Sequence, residues 1–315
     1  MLKKIYFVVP CYNETEVLEI TAKRLHEKVE TLIDKKIIHQ GSRIVFVDDG
    51  SKDNTWGLIT QFKKSYTLIT GIKLSRNRGH QNALLAGLMT VKPLCDATIS
   101  LDADLQDDID VIEQFINKFI NEQCDVVYGV RSDRKKDTGF KRHTAQVFYK
   151  FMDVMGADII YNHADYRLLS QRALMALSEF KEVNLFLRGL VPLVGYKSSI
   201  VYYERHERFA GESKYPLKKM IAFAIEGITS LSIKPIRLVF TVGIIVFLLS
   251  LFPLIYSFIQ WINGQTIQGW TTLILSIWTL GGIQILCIGI IGEYIGKIYL
   301  ETKARPPFII EEFLN

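Results

Sequence analysis

The chain has 315 residues, 49% of them hydrophobic, with 38 Lys and Arg against 33 Asp and Glu and a formal net charge of +5. That length holds one large domain or two smaller ones, and the charge is modest, so its location matters more than its size; no nucleic-acid partner is expected. Cys11, Cys95, Cys124 and Cys287 have neither CxxC nor paired spacing, which excludes a disulfide scaffold and leaves reduced thiols as the expectation.

The N-terminal stretch "MLKKIYFVVPCYNE" is no secretory signal, because its apolar run is short and meets Pro10. Strands are predicted at 5–9, 43–47, 68–74, 97–101 and 125–130, each an apolar run buried on both faces. Between the last two, Ile109, Ile112, Phe115, Ile116, Phe119 and Ile120 recur at helical spacing. Strands alternating with helices predict βαβ units around a parallel sheet, and such sheets bind ligands beyond the carboxyl ends of their strands. The residues there are "PCYNE", "DDGSKD", "SRNRGHQN", "DADLQDD" and "RSDRKK". Any one of these reads as a turn or a helix cap. Five polar clusters on one edge read as an active site.

Farther on, residues 140–155 and 171–180 are predicted helices and 198–203 a strand. Over 217–233, Met220, Ile221, Ala224, Ile225, Ile228 and Leu231 share one helical face, which suits a membrane interface or a packed core. Residues 238–259 and 270–292 then carry no charge over 22 and 23 positions, each long enough to cross a hydrocarbon layer of about 30 Å. The link between them has no Lys or Arg. Lys214, Lys218, Lys219, Lys234 and Arg237 precede the pair, and Lys297, Lys303 and Arg305 follow it. Two spans are therefore expected, with both flanks cytoplasmic and Trp261 and Trp270 bracketing an outer hairpin.

Asp102 and Asp104 follow a strand in a D-x-D arrangement, which in extended backbone turns both carboxylates to one side. They can converge on one cation, with Gln106 adding a neutral oxygen, and such hard ligands suit Mg²⁺ or Mn²⁺ bridged to substrate phosphates. Asp107 and Asp108 are expected to cap the next helix, and His80 to be a cap or packing residue. The chain has neither GxxxxGK[ST] nor a GxGxxG after its first strand, which disfavours an NTPase or a dinucleotide enzyme.

In order along the chain, "VVPCYNE", "VDDGSKD" and "LDADLQD" resemble the family-2 glycosyltransferases. "SRNRGHQNALLAG", "ADYRLLSQRA" and "ERFAGESKYPLKK", followed by two apolar runs, are similar to the polyprenyl-phosphate glycosyltransferases. That group includes the bactoprenol (undecaprenyl-phosphate) glucosyltransferases and is related to the dolichol-phosphate mannose synthases. The resemblance implies a Rossmann-like, GT-A type α/β domain over 1–215, an amphipathic juxtamembrane helix at 216–235, a transmembrane hairpin at 236–297 and a cytoplasmic tail at 298–315. It implies metal-dependent, inverting transfer of one sugar from a nucleotide sugar to polyprenyl phosphate. UDP-glucose is the first choice, with UDP-N-acetylglucosamine and GDP-mannose as alternatives.

Residue by residue, the resemblance puts Pro10, Tyr12, Glu14, Asp49, Asp102 and Ala103 against the nucleotide sugar and Asp102, Asp104 and Gln106 on the metal. The usual proline after "LQD" is replaced here by Asp108. Asp165 matches the position of a catalytic base, but a phosphate nucleophile is largely ionised near neutral pH. Asp165 is therefore expected chiefly to orient the acceptor or a sugar hydroxyl, with proton removal secondary, and Asp104 to act through the metal. An anionic acceptor brought beside a diphosphate needs cations. Arg131 supplies one in a basic loop with Arg134, Lys135, Lys136, Lys141 and Arg142, and Arg205, Arg208 and Lys214 supply others near the membrane. Gly292 and Gly296 form a GxxxG that permits close helix approach, and related enzymes imply a homo-oligomer, a tetramer among the options. A processive polysaccharide synthase is disfavoured because QxxRW and a larger set of spans are missing. A non-catalytic scaffold is disfavoured because Asp102, Asp104, Gln106 and Asp165 are all retained.

Overall fold

The computed structural model describes residues 1–104, 106–132, 163–183, 185–204, 234–263 and 269–315. Eight strands form one sheet: β1 (Ile5–Cys11), β2 (Arg43–Asp48), β3 (Ile69–Leu74), β4 (Ala97–Ser100), β5 (Val126–Arg131), β6 (His163–Ser170), β7 (Ser198–Tyr203) and β8 (Ile310–Leu314). Their order is β7-β5-β6-β4-β1-β2-β3-β8. β4, β1, β2 and β3 run parallel, as do β5 and β7. β6 is antiparallel to both β4 and β5, and β8 is antiparallel to β3.

The period-2 alternation of the strands sorts the core into two layers. Ile5, Phe7 and Val9 of β1 and Ile44 and Phe46 of β2 face α1 (Leu18–Asp34), α2 (Thr55–Ser65) and α4 (Ile112–Ile120). Tyr6, Val8, Val45 and Val47 face α3 (His80–Val91), α5 (Gln171–Leu177) and α6 (Leu187–Leu193). The result is a three-layer α/β/α domain, with helices on both faces as buried parallel strands require. α3 lies close on its face because of Gly87, where an added Cβ would come within 2.4 Å of Val8 Cγ1 and 2.7 Å of Val47 Cγ2.

The parallel strands and α4 stand where the apolar runs put them. The wholly parallel sheet does not: antiparallel β6 lies where no strand is predicted, and antiparallel β8 lies in the stretch expected to be a cytoplasmic tail. β6, "HADYRLLS", conceals a central strand behind Asp165 and Arg167, two residues apart and paired side by side. β8 is five residues long with two adjacent glutamates, and its anchoring comes from elsewhere. Lys73 of β3 pairs with Glu311 at 2.8 Å, and Phe308 and Phe313 pack on the α3 side of the core. The predicted helices at 140–155 and 217–233 lie outside the described residues.

After β7 come two long helices, α7 (Lys234–Ile262, 29 residues) and α8 (Trp270–Lys303, 34 residues), which touch each other. Among the described residues, one stretch is long and apolar enough to cross a membrane, Thr279–Lys303. The helix runs on to Lys303, and Glu301 Oε2 accepts the backbone N–H of Val183 at 2.9 Å, fastening the helix end to the sheet domain. Replacing Gly87 by Val is expected to lower stability by at least the ~1–3 kcal/mol of an overpacked core, read as a fall in the thermal unfolding midpoint of the detergent-solubilised protein.

Candidate active site

The loops after β1, β2 and β3 are laced together by side chain–backbone bonds. The N–H of Asn13 (φ 54°) donates to Ser51 Oγ at 3.0 Å, and Asn13 Oδ1 accepts from the Lys52 N–H at 2.8 Å. The Glu14 N–H donates to Thr55 Oγ1 at 3.0 Å. Asp49 is buried and accepts the N–H groups of Arg78 at 2.7 Å and Gly79 at 2.9 Å, one on each carboxylate oxygen. Between them sits Gly50 at φ 63°, where a Cβ would stand 2.5 Å from the backbone carbon of Arg76. Asp48 accepts the Ser51 N–H at 3.2 Å, closing that turn. Asp49 thus holds the loop after β3 against the tip of β2. Pro10 is buried within β1, while the Tyr12 ring is partly open to solvent at the same edge.

At the tip of β4, Ala103 is buried and its carbonyl accepts Thr21 Oγ1 at 2.6 Å, which fixes the backbone between the two flanking aspartates. Asp104 Oδ1 accepts the backbone N–H of Gln106 at 3.2 Å, and Gln106 itself is buried. Asp108 caps the short turn at Ile109–Val111 through the Asp110 N–H at 2.8 Å, as expected. Asp107 does not cap. It turns inward, where Oδ1 accepts the Tyr203 hydroxyl at 2.6 Å and lies 3.9 Å from Arg131 Nη2. Arg131 Nε also donates to the Tyr203 hydroxyl at 3.3 Å. Arg131 is therefore tied to β7 and Asp107, while Arg205, Arg208 and Lys214 lie outside the described residues.

Whether a divalent cation fits the tip of β4 is a question of its oxygens. Among the described residues, no three His, Cys, Asp or Glu side chains are gathered as a closed metal cage. Asp102 and Asp104 form instead an open pair of hard oxygen donors beside Asp107, whose Oδ2 is buried with no partner among the described residues. The crowding of negative charge shows in Asp107: burial first, then the charge of Asp102, pushes its pKa up to about 6 against the Tyr203 hydrogen bond and Arg131. Two partly exposed carboxylates on either side of buried Ala103 fit a cation that completes its shell with water and phosphate oxygens.

Beside this tip stands the densest ion cluster among the described residues. Asp165, on the strand next to β4, is buried and accepts from Arg167, its neighbour two residues on. Arg188 of α6 donates from Nε to Oδ1 at 3.3 Å and from Nη2 to Oδ2 at 3.0 Å. His80 Nε2 lies 3.6 Å from Asp165 Oδ2 and 3.6 Å from Asp102 Oδ1, bridging the cluster to the D-x-D. Burial alone would raise the Asp165 pKa. Arg188, the His80 hydrogen bond and Arg167 outweigh it and hold the carboxyl well below its usual range. Desolvation opposes charge on His80, but Asp165 and Asp102 raise its pKa to about 8. The neighbouring backbone is set by the same residues: Arg167 Nη1 donates to the Leu187 carbonyl at 3.3 Å, and Gln81 Oε1 accepts the Leu187 N–H at 2.8 Å.

The expected residues at the tips of β1, β2, β4 and β6 share one edge of the sheet, and three more belong with them: His80, Arg167 and Arg188. His80 could have been found, because it begins the helix directly after a strand-end loop already singled out. Arg167 could have been found from its i+2 relation to Asp165. Arg188, in "FLRGL", has no such signal.

Comparison with known proteins places the chain. The Glycosyl transferase family 2 model matches residues 6–177, and the GtrB C-terminal hairpin model matches 234–298. An uncharacterized glycosyltransferase of Bacillus subtilis, YkoT, is 54% identical over 96% of this chain and 90% of its own. The bactoprenol glucosyl transferase of Shigella phage SfX is 39% identical over 98% of this chain and 99% of its own. Among solved structures, glucosyl-3-phosphoglycerate synthase from Mycobacterium tuberculosis is similar with a TM-score of 0.47 at 14% identity, over 73% of this chain and 77% of that one. With a family model over more than half of its length and relatives of this identity end to end, the chain belongs to glycosyl transferase family 2, in the polyprenyl-phosphate glycosyltransferase group, and is a glycosyltransferase.

Proposed function

We propose that the chain transfers one sugar from a nucleotide sugar, UDP-glucose first, to the phosphate of a polyprenyl lipid of the undecaprenyl type, with inversion at the anomeric carbon. The observation that carries this reading is the bridge His80 makes, at 3.6 Å to each side, between the D-x-D tip of β4 and the Asp165–Arg188 cluster. A donor diphosphate and an anionic acceptor need adjoining sites of opposite character, one built of carboxylates for a cation and one built of cations. Relatives named for glucosyl transfer to bactoprenol support the choice of substrates. Exposed Ile285, Leu286, Ile288, Ile291 and Ile295 on α8 form an apolar surface that a bilayer would cover. The two helices make a hairpin of two spans, with the sheet domain cytoplasmic by the placement of Lys and Arg. A Cβ at Gly292 or Gly296 would meet nothing within 4 Å, which suits close packing against a second copy in a homo-oligomer.

In this reading Pro10, Tyr12, Glu14 and Asp49 border the base and ribose, and Ala103 the sugar. Asp102 and Asp104, with Gln106 beside them, hold Mg²⁺ or Mn²⁺. When bound, the cation neutralises charge on the departing diphosphate as a Lewis acid. Arg131, Arg205, Arg208 and Lys214 attract the anionic acceptor toward the edge. Asp165, held ionised well below the ordinary carboxylate range, is a weak proton acceptor, and the acceptor phosphate has little proton to give. Its work is to fix the cations around it.

Two measurements test this. Purified protein given labelled UDP-glucose, undecaprenyl phosphate and Mg²⁺ or Mn²⁺ is expected to put label into the organic phase. Asp104→Asn is expected to lower that rate by more than the roughly 10- to 100-fold typical of an outer-shell partner, and chelator to abolish it. No labelled lipid from UDP-glucose, UDP-N-acetylglucosamine or GDP-mannose overturns the assignment. Separately, Asp165→Asn leaves Arg167 buried without its counter-charge and is expected to cost on the order of 3 kcal/mol at pH 7. Because the folded carboxyl titrates below its unfolded value of about 3.9, its contribution is complete above that value and is lost as pH falls through the folded one. The gap in unfolding midpoint between wild type and variant should therefore narrow below about pH 4.

A further inference from the structure

Two guanidinium groups converge on one carboxylate at Asp165, and they are not equivalent. Arg167 is 1% exposed and spends a donor on the Leu187 carbonyl inside the fold. The Arg188 side chain is 30% exposed, with two N–H groups committed to the two oxygens of Asp165. That bidentate grip fixes the plane of the Arg188 guanidinium at the surface of the cleft. A guanidinium carries five N–H donors, and the grip on Asp165 orients Arg188 through two of them at the side of the D-x-D.

The order of strands says which substrate would meet it. Running outward from β4 through β1, β2 and β3 are the loops that carry Asp102, Tyr12, Glu14 and Asp49. β6 lies on the other side of β4, and Arg188 of α6 is bound to it through Asp165. A donor laid along the β4–β1–β2 tips, with its diphosphate at Asp102 and Asp104, leaves the Arg188 side for the second phosphate.

We infer that Arg188, oriented by the bidentate grip of Asp165, is the contact for the phosphate of the lipid acceptor, with Asp165 the positioning residue behind it. The inference rests on the proposed transfer to a polyprenyl phosphate and adds the residue that receives it. Arg131 is by contrast turned toward Tyr203 and Asp107.

The test is steady-state kinetics of the full-length protein with undecaprenyl phosphate and UDP-glucose each varied in turn. Arg188→Gln is expected to raise the KM for undecaprenyl phosphate about 10- to 100-fold, the value of one charge-assisted contact, with the KM for UDP-glucose changed less than about twofold. Arg188→Lys keeps a cation but loses the fork, so it should show a smaller rise in the same constant. It also serves as the informative variant if Arg188→Gln does not fold. A rise confined to the donor KM, or a loss of kcat with the acceptor KM unchanged, overturns the inference. Wild-type protein that labels no lipid overturns the proposed function; wild-type protein that does, beside an Arg188 variant with an unaltered acceptor KM, overturns this assignment alone.

Discussion

The ion pair between Asp165 and Arg167 is the interaction on which the site is assembled. Both residues sit on an antiparallel strand wedged between β4 and β5, two positions apart, so their side chains leave the same face of the sheet. Charges buried this deeply are tolerated only when each is paired and hydrogen-bonded. Satisfying Asp165 recruits Arg188 from α6 and His80 from the start of α3, and satisfying Arg167 recruits the carbonyl that opens α6. Three segments far apart in sequence are thereby brought to the tip of β4 by the need to neutralise one carboxylate. That is a strong constraint for a single strand to impose, and it places this edge of the sheet in register with the core beneath it.

A second constraint acts on the other flank. Asp49 spends both oxygens on the backbone of the loop after β3, and burial raises its pKa against those two hydrogen bonds. An aspartate expected to meet a base or ribose therefore already has a structural duty, although each of its oxygens keeps a second lone pair. The same loop ends in His80, so the tip of β2 and the Asp165 cluster are joined through six residues of backbone from Ser75 to His80. The anchoring of Asp49 and the setting of the cluster share this one piece of chain.

Much of this was legible in the residues, and the rest fails for identifiable reasons. β1 to β5 announce themselves because strands covered on both faces must be apolar throughout. The strand-end clusters follow from topology, and the D-x-D lies where that rule puts it. β6 hides because a buried ion pair at i and i+2 looks like the polarity of a turn, and a sequence read residue by residue does not show that the two charges cancel. Asp107 has the place of a cap because it precedes a helix, whereas its carboxylate faces Tyr203, 96 residues later. His80 carries little signal by itself because a single histidine has many ordinary uses. Its meaning comes only from two aspartates, one 22 and one 85 positions downstream, that meet it from different strands.

β8 bears on how the chain threads a bilayer. A polypeptide that leaves the sheet at Tyr203 and rejoins it at Ile310 must be on one side of any lipid barrier at both points. The number of crossings made in between is then even, so a passage through α8 requires a matching return. The rule is one of parity, independent of hydropathy or of the distribution of charge. It also sets a sequence of events, because the edge beside β3 stays open until the last five-residue strand has been synthesised, after both long helices have left the ribosome.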